Sequence, residues 1–301
     1  MQFKHENELR EIRFREFQDK HTGKKIFMTF QEALSESESR WKEYDYALTG
    51  SDQVWHNWCH SQKELAFYYL EFMPCEKRIN YAPSFGFSEF PKSDIESHRK
   101  GLEGFKKLSC REESMKTLIM QAVGRESELV LDPTLLLKPE ALKKFSSKPE
   151  YDLPDNYVLC YFLGSITEEY EHAIKEAAGD LPVIDINRLD SVYYITHPGE
   201  FLYLFEHADF ICTDSFHGVA FSINFGKNFL VFRRIRVDGI SAGMFGRIES
   251  IISNTGITDH IYETGIKIRP DNIDYDSVNQ KLSVMRESSM RYLRECLNVN
   301  V

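Results

Sequence analysis

The run Thr213-Asp214-Ser215-Phe216-His217-Gly218 places a helix-capping pair and a histidine directly after an apolar segment. Asp214 and Ser215 are both suitable N-caps, and Gly226 is a suitable helix stop. A helix begun there aims its dipole and its first N–H groups at the end of the preceding strand, a ready site for an anion. His217 falls in the first turn, where it can face a ligand; the plainer alternative is a core histidine bonded to a backbone carbonyl. Gly218 beside it keeps the surface low for a ligand. Lys227 follows the helix. Ten helical residues span about 15 Å, so Lys227 need not reach the same site, and a solvated or helix-terminal lysine is its alternative. Arg111, in Ser109-Cys110-Arg111-Glu112-Glu113, is a second cation of interest. It precedes a predicted helix, where positive charge is mildly unfavourable. Glu112 and Glu113 read as ordinary N-terminal helix acids. The chemistry these residues suit is the binding of a negatively charged group beside a proton donor.

Short apolar runs alternating with amphipathic segments predict βα units and a parallel sheet. Strands are expected at 46–48, 79–82, 107–109, 129–131, 157–163, 183–186, 210–213 and 229–232. Helices are expected at 112–123, 167–178, 200–207, 247–255 and 274–297, the first two closed by Gly124 and Gly179 and the fourth by Gly256. Segment 138–156 carries Pro139, Pro149 and Pro154 and reads as a connection, with a short helix in its first part. Domains follow at 1–140 and 151–273. Small polar residues stand at the strand ends: Gly50-Ser51-Asp52, Ser84, Asp132 and Thr213-Asp214-Ser215. Ligands of open α/β sheets bind outside such ends, which makes Ser51, Ser84 and Ser215 candidate substrate contacts.

Composition narrows the class of partner. The formal net charge of −10 argues against a general nucleic-acid binder, which needs a basic face. It leaves room for one local cationic pocket. The six cysteines form no CxxC pair, which suits reduced thiols in a cytoplasmic protein. No window has the roughly 18 apolar residues of a membrane span, so membrane contact is expected to be peripheral at most, at the inner face.

GSDQVW (50–55), RINYAPSFG (78–86), CREES (110–114), VLDPTLLL (130–137), SFHGVAFSINFGK (215–227) and GRIESII (246–252) occur in this order. Together they resemble the bacterial polysaccharide pyruvyl transferases over roughly residues 40 to 260. The resemblance implies transfer of pyruvate from phosphoenolpyruvate to two hydroxyls of one sugar, making a cyclic ketal and releasing phosphate, in the biosynthesis of exopolysaccharide or other cell-envelope glycans. It implies two Rossmann-like domains facing across a cleft, as in GT-B glycosyltransferases. The first domain is then the acceptor side and the second the donor side, with helix 274–297 packing back on the first. Arg111, His217 and Lys227 match the family's cations around phosphoenolpyruvate. His217 would donate the proton to the methylene carbon or hold the leaving phosphate. Asp52 is the candidate for binding or deprotonating the acceptor hydroxyl, with an Asx-turn aspartate as its alternative. Arg247 would help hold an anion, or be a salt-bridged helix arginine. The chemistry requires no metal and no cofactor beyond the donor. Whether the saccharide acceptor is lipid-linked is left open. A strand and Gly/Asn-rich loop usually precede Gly-Ser-Asp-Gln in this family. Here about 49 mostly polar residues stand in their place, so a trimmed first domain is expected.

Three signals are set aside. HNWCH (56–60) has His56 and His60 at metal-ligating spacing but no further Cys/His cluster. Cys110 is expected to be a buried strand cysteine rather than a nucleophile. Arg233, Arg234 and Arg236 read as a solvated basic loop. Two rivals remain: a GT-B-type nucleotide-sugar glycosyltransferase, and a non-catalytic carbohydrate-binding relative.

Overall fold

The computed structural model describes residues 4–23, 25, 26, 28–35, 38–56, 61–87, 89, 90, 95–235 and 245–299. In chain order the helices are α1 (Lys4–His21), α2 (Phe30–Ser35), α3 (Glu38–Trp41), α4 (Gln62–Tyr68), α5 (Ile95–Glu103), α6 (Glu113–Val123), α7 (Pro133–Leu136), α8 (Pro139–Leu142), α9 (Glu168–Ala178), α10 (Pro198–His207), α11 (Phe216–Asn224), α12 (Gly246–Thr255) and α13 (Tyr275–Cys296). The strands are β1 (Ala47–Thr49), β2 (Arg78–Asn80), β3 (Ser109–Cys110), β4 (Glu128–Leu129), β5 (Val158–Tyr161), β6 (Val183–Asp185), β7 (Phe210–Thr213) and β8 (Phe229–Val231). All pairings between them are parallel, so the fold is mixed α/β with parallel sheets. Each strand overlaps one expected from the sequence.

The chain divides into two compact units. One gathers Met1–Lys25, Leu137–Ser241 and Ile252–Val278; the other gathers Ile26–Leu136, Ala242–Ile251 and Asn279–Val301. Helix α1 packs with the later residues of its unit. Arg13 donates to Glu200 at 2.7 Å, and Tyr194 donates to Asn7 at 2.7 Å.

The first of these units is built on a four-stranded sheet ordered β6-β5-β7-β8. Cys160 pairs with Cys212 and Ile211 with Phe229 in the ladder. Strands β5, β7 and β8 are buried runs, as a sheet covered on both faces requires, while the edge strand β6 buries only Ile184. Phe162, Phe210, Leu230 and Phe232 pack with Ala173, Ile174 and Ala177 of α9. The order places β5 between β6 and β7. The sheet therefore changes its direction of growth there, a topological switch point of the kind where α/β sheets bind ligands. At the end of α11, Gly226 takes φ +67°, a conformation glycine adopts without steric cost. Lys227 N–H reaches Ser222 O at 2.8 Å and Gly226 N–H reaches Ile223 O at 3.2 Å, so the backbone itself closes the helix.

The second unit carries two short parallel pairs, β1-β2 and β3-β4, rather than one regular Rossmann-like sheet. The Asn80 side chain explains the interruption. Its Nδ2 donates to Lys107 O at 2.7 Å and its Oδ1 accepts from Ser109 N at 2.8 Å. An amide side chain thus stands in for a peptide group and stitches β2 to β3. Trp55 stacks on Tyr69 with ring centroids 4.8 Å apart, in a core with Phe85, Phe105, Leu102 and Ile119. Helix α13 closes the unit. Ser289 Oγ accepts from Leu131 N at 2.9 Å, and Tyr292 OH donates to Asn80 O at 3.0 Å. Among the described residues no strand precedes β1.

Candidate functional site

In the second unit, four strand ends bring their polar residues together. Asp52 follows β1, takes φ +68° and pairs with Pro83 in an isolated parallel bridge beyond the β1-β2 ladder. Its carbonyl accepts from Ser84 N at 2.7 Å. Its carboxylate Oδ1 accepts from Arg111 Nη2 at 2.6 Å and from Arg247 Nη1 at 3.3 Å. Asp52 therefore engages two guanidinium groups. Its side chain is 52% exposed, whereas that of Arg111 is 0% exposed.

Arg111 is not displayed as an outward cation. Its Nη1 donates to Asp132 Oδ2 at 2.8 Å, and Glu112 Oε2 lies 3.6 Å from its Nε. Asp132 is fixed in turn, because its Oδ1 accepts from Thr134 N at 3.0 Å and Thr134 Oγ1 at 2.8 Å at the start of α7. Burial opposes the charge of Arg111, yet Asp132, Asp52 and Glu112 hold its pKa above the ordinary value. The result is a relay, Thr134 to Asp132 to Arg111 to Asp52, that orients one accessible carboxylate. Asp132 and Glu112 are the members sequence reasoning missed. The signal for Asp132 was its place at a strand end in Leu-Asp-Pro-Thr.

Glu112 is more than a helix-start acid. Its side chain is 4% exposed, and its Oε1 accepts from Ser84 Oγ at 2.5 Å. Burial pushes its carboxyl above the ordinary 4.5, against the pull of Arg111 and the Ser84 hydroxyl. Ser84 also accepts from Gly86 N at 3.0 Å, so its hydroxyl is tied to structure on both sides. Ser51 is partly buried beside Asp52. Arg247, 8% exposed, reaches the Asp52 carboxylate from the first turn of α12.

In the four-stranded unit, His217 stands in the first turn of α11 and is partly exposed. This is the carboxyl end of β7, at the switch point. Ser215 holds the N-cap position but its side chain makes no capping bond. Asp214 does different work. Its carboxylate accepts from Leu163 N at 2.7 Å and Gly164 N at 2.8 Å, tying the loop after β5 to the end of β7. Arg234 Nε lies 3.4 Å from Asp214 Oδ2, so Arg234 is an ion-paired residue of this end and not a solvated loop arginine. Arg233 is exposed, and Arg236 lies outside the described residues. Gly218 does not open a path for a ligand. A Cβ there would stand 2.1 Å from Thr213 Oγ1, so its role is close packing of α11 on β7.

Lys227 sits past the other end of α11. Burial lowers its pKa, while Asp209 and Glu206, at the amino end of β7 and the end of α10, oppose the shift. The structure does not bring Lys227 together with His217. In HNWCH, residues 57–60 lie outside the described residues. Cys110 is buried, and desolvation pushes its thiol up to about 12, which makes it an inert strand residue. No described helix is long and apolar enough to cross a membrane.

Comparison with known proteins adds the family. The family model described as polysaccharide pyruvyl transferase matches residues 3–234, from α1 through the end of β8. No individual curated protein matches the chain. A match of this extent carries both the Asp52 relay and the His217 helix, and the chain belongs to the polysaccharide pyruvyl transferase family.

Proposed function

We propose that the protein transfers pyruvate from phosphoenolpyruvate to two hydroxyls of a saccharide, forming a cyclic ketal and releasing phosphate. The methylene carbon gains a proton and becomes the methyl group. Carbon 2, now oxocarbenium-like, takes the first sugar oxygen; its bond to the phosphate oxygen breaks, and the second sugar oxygen takes that place. Two hydroxyl protons are released in all. One balances the proton gained by carbon, and the other leaves on phosphate.

Family membership supports the reaction class, and the fixed carboxylate of Asp52 supports a base for it. Two guanidinium groups bond the Asp52 Oδ1 and fix its position. A hydroxyl attacking an oxocarbenium-like carbon becomes acidic as it bonds, so a carboxylate is a strong enough acceptor. Arg111 acts through Asp52, as a positioning residue. His217, at the amino end of a helix, suits the donor's phosphate or the proton for carbon. Lys227, at the far end of α11, has no part in this scheme.

The test is phosphate release from phosphoenolpyruvate with a panel of saccharides. Release that depends on a saccharide, and falls by about 10²–10⁴ in kcat for Asp52→Asn, is the expected result. Asp52→Asn with full activity removes the assignment of the base. Turnover of a nucleotide-sugar with no response to phosphoenolpyruvate overturns the reaction.

A further inference from the structure

The four-stranded unit holds an open cavity of about 420 Å³, of whose lining the reaction above uses His217 alone. The rings of Phe14, Phe17, Phe145, Tyr161, Phe201 and Phe221 line it. Arg10, Phe14, Phe17 and His21 also line it, and their spacing puts all four on one face of α1. Helix α1 therefore supplies one wall, opposite residues of α10 and α11.

The charge of the lining is one-sided. Arg10, His21 and His217 are basic, and no lining residue is a carboxylate. Arg10 lies over the ring of Tyr194 at 4.6 Å and forms no salt bridge among the described residues. These features select against two simple occupants. Water gains few hydrogen bonds from ring walls, so an apolar body that displaces it is favoured. A small dianion would bury its charge largely against hydrocarbon, which is costly. A wholly neutral oil would leave Arg10 without a counter-charge. The volume lies within the roughly 300–1,000 Å³ of sites that hold small molecules.

We propose that this cavity binds an amphipathic acid, with its hydrocarbon or aromatic body against the phenylalanine walls and a single phosphate or carboxylate head at Arg10. The proposal goes beyond the transferase reading and does not rest on it.

Titration calorimetry with the full chain tests it, using decyl phosphate, decanoate and decanol below their aggregation limits. Saturable binding of the two acids is expected, with decanol weaker by about tenfold or more. Arg10→Ala should weaken the acids to the level of decanol while Arg10→Lys keeps part of the difference. Phe14→Ala should weaken all three ligands. Neither residue is buried, so the variants retain the fold, which thermal unfolding checks. In the wild-type protein the ring signals of His217 should shift on saturation. Equal affinity for decanol and decyl phosphate overturns the acidic head. Binding indifferent to both Arg10→Ala and Phe14→Ala places the ligand elsewhere and overturns the site. Adsorption to anionic vesicles without binding of the soluble acids points to a charged surface, and overturns it as well.

Discussion

At the scale of the residue, the chemistry rests on how a buried guanidinium is used. The sequence singles out Arg111 and Asp52 separately, on type and position. Their pairing was not legible, because 59 residues separate them, and the β1-β2 ladder with the Asn80 bonds from β2 to β3 brings their strand ends together. Asp132 was visible only as a polar residue after a strand; nothing local says that it grips an arginine. Glu112 was misjudged for the same reason, since its burial depends on Ser84 of another strand end. Its raised pKa has a measurable consequence. The folded protein holds this proton more tightly than the unfolded chain. The associated stability is present at low pH and is lost as pH rises from about 4.5 through the higher folded-state value. Glu112→Gln should flatten this decline, leaving the variant at least as stable as the parent at neutral pH. Urea unfolding of both proteins across that range reads the slope; an unchanged slope removes Glu112 as its source.

At the scale of the element, strands and helix stops were the legible part. Buried apolar runs and glycines at α6, α9 and α11 mark their own boundaries. Helix α1 was not legible. It is polar on nearly every side and has no buried residue, so no apolar stripe announces it. Its attachment is chemical: Arg13 meets Glu200, whose side chain is 1% exposed. Arg13→Ala should leave that carboxylate buried without its cation and loosen the helix. Hydrogen exchange across 4–21 should rise about tenfold or more, while amides of β5 and β7 stay protected. Equal protection in the variant means other contacts hold α1. The packing of α11 gives a second expectation. Gly218→Ala puts a methyl group 2.1 Å from Thr213 Oγ1, and both the helix and the strand are backbone-locked. Destabilisation of about 1–3 kcal/mol is expected from such overpacking, together with lower activity, because the first turn carrying His217 must shift. A stable variant with parental activity shows that the turn adapts.

At the scale of the whole molecule, distant parts of the chain share each unit. Ser289 accepts from Leu131 N across 158 residues of sequence. Ser289→Ala leaves that buried N–H without its acceptor, at a cost of about 1–3 kcal/mol in denaturant unfolding. No measurable loss would mean another acceptor takes over. The same interleaving sets a timetable for biosynthesis. Helix α1 leaves the ribosome well before Leu137, where the rest of its unit begins, a gap of about 5–20 s at ordinary translation rates. The other unit awaits Asn279–Val301, made after every other segment of that unit. A nascent polypeptide of this kind spends much of its synthesis with exposed partners, and a stop before Asn279 removes the residues of the second unit that bond Leu131.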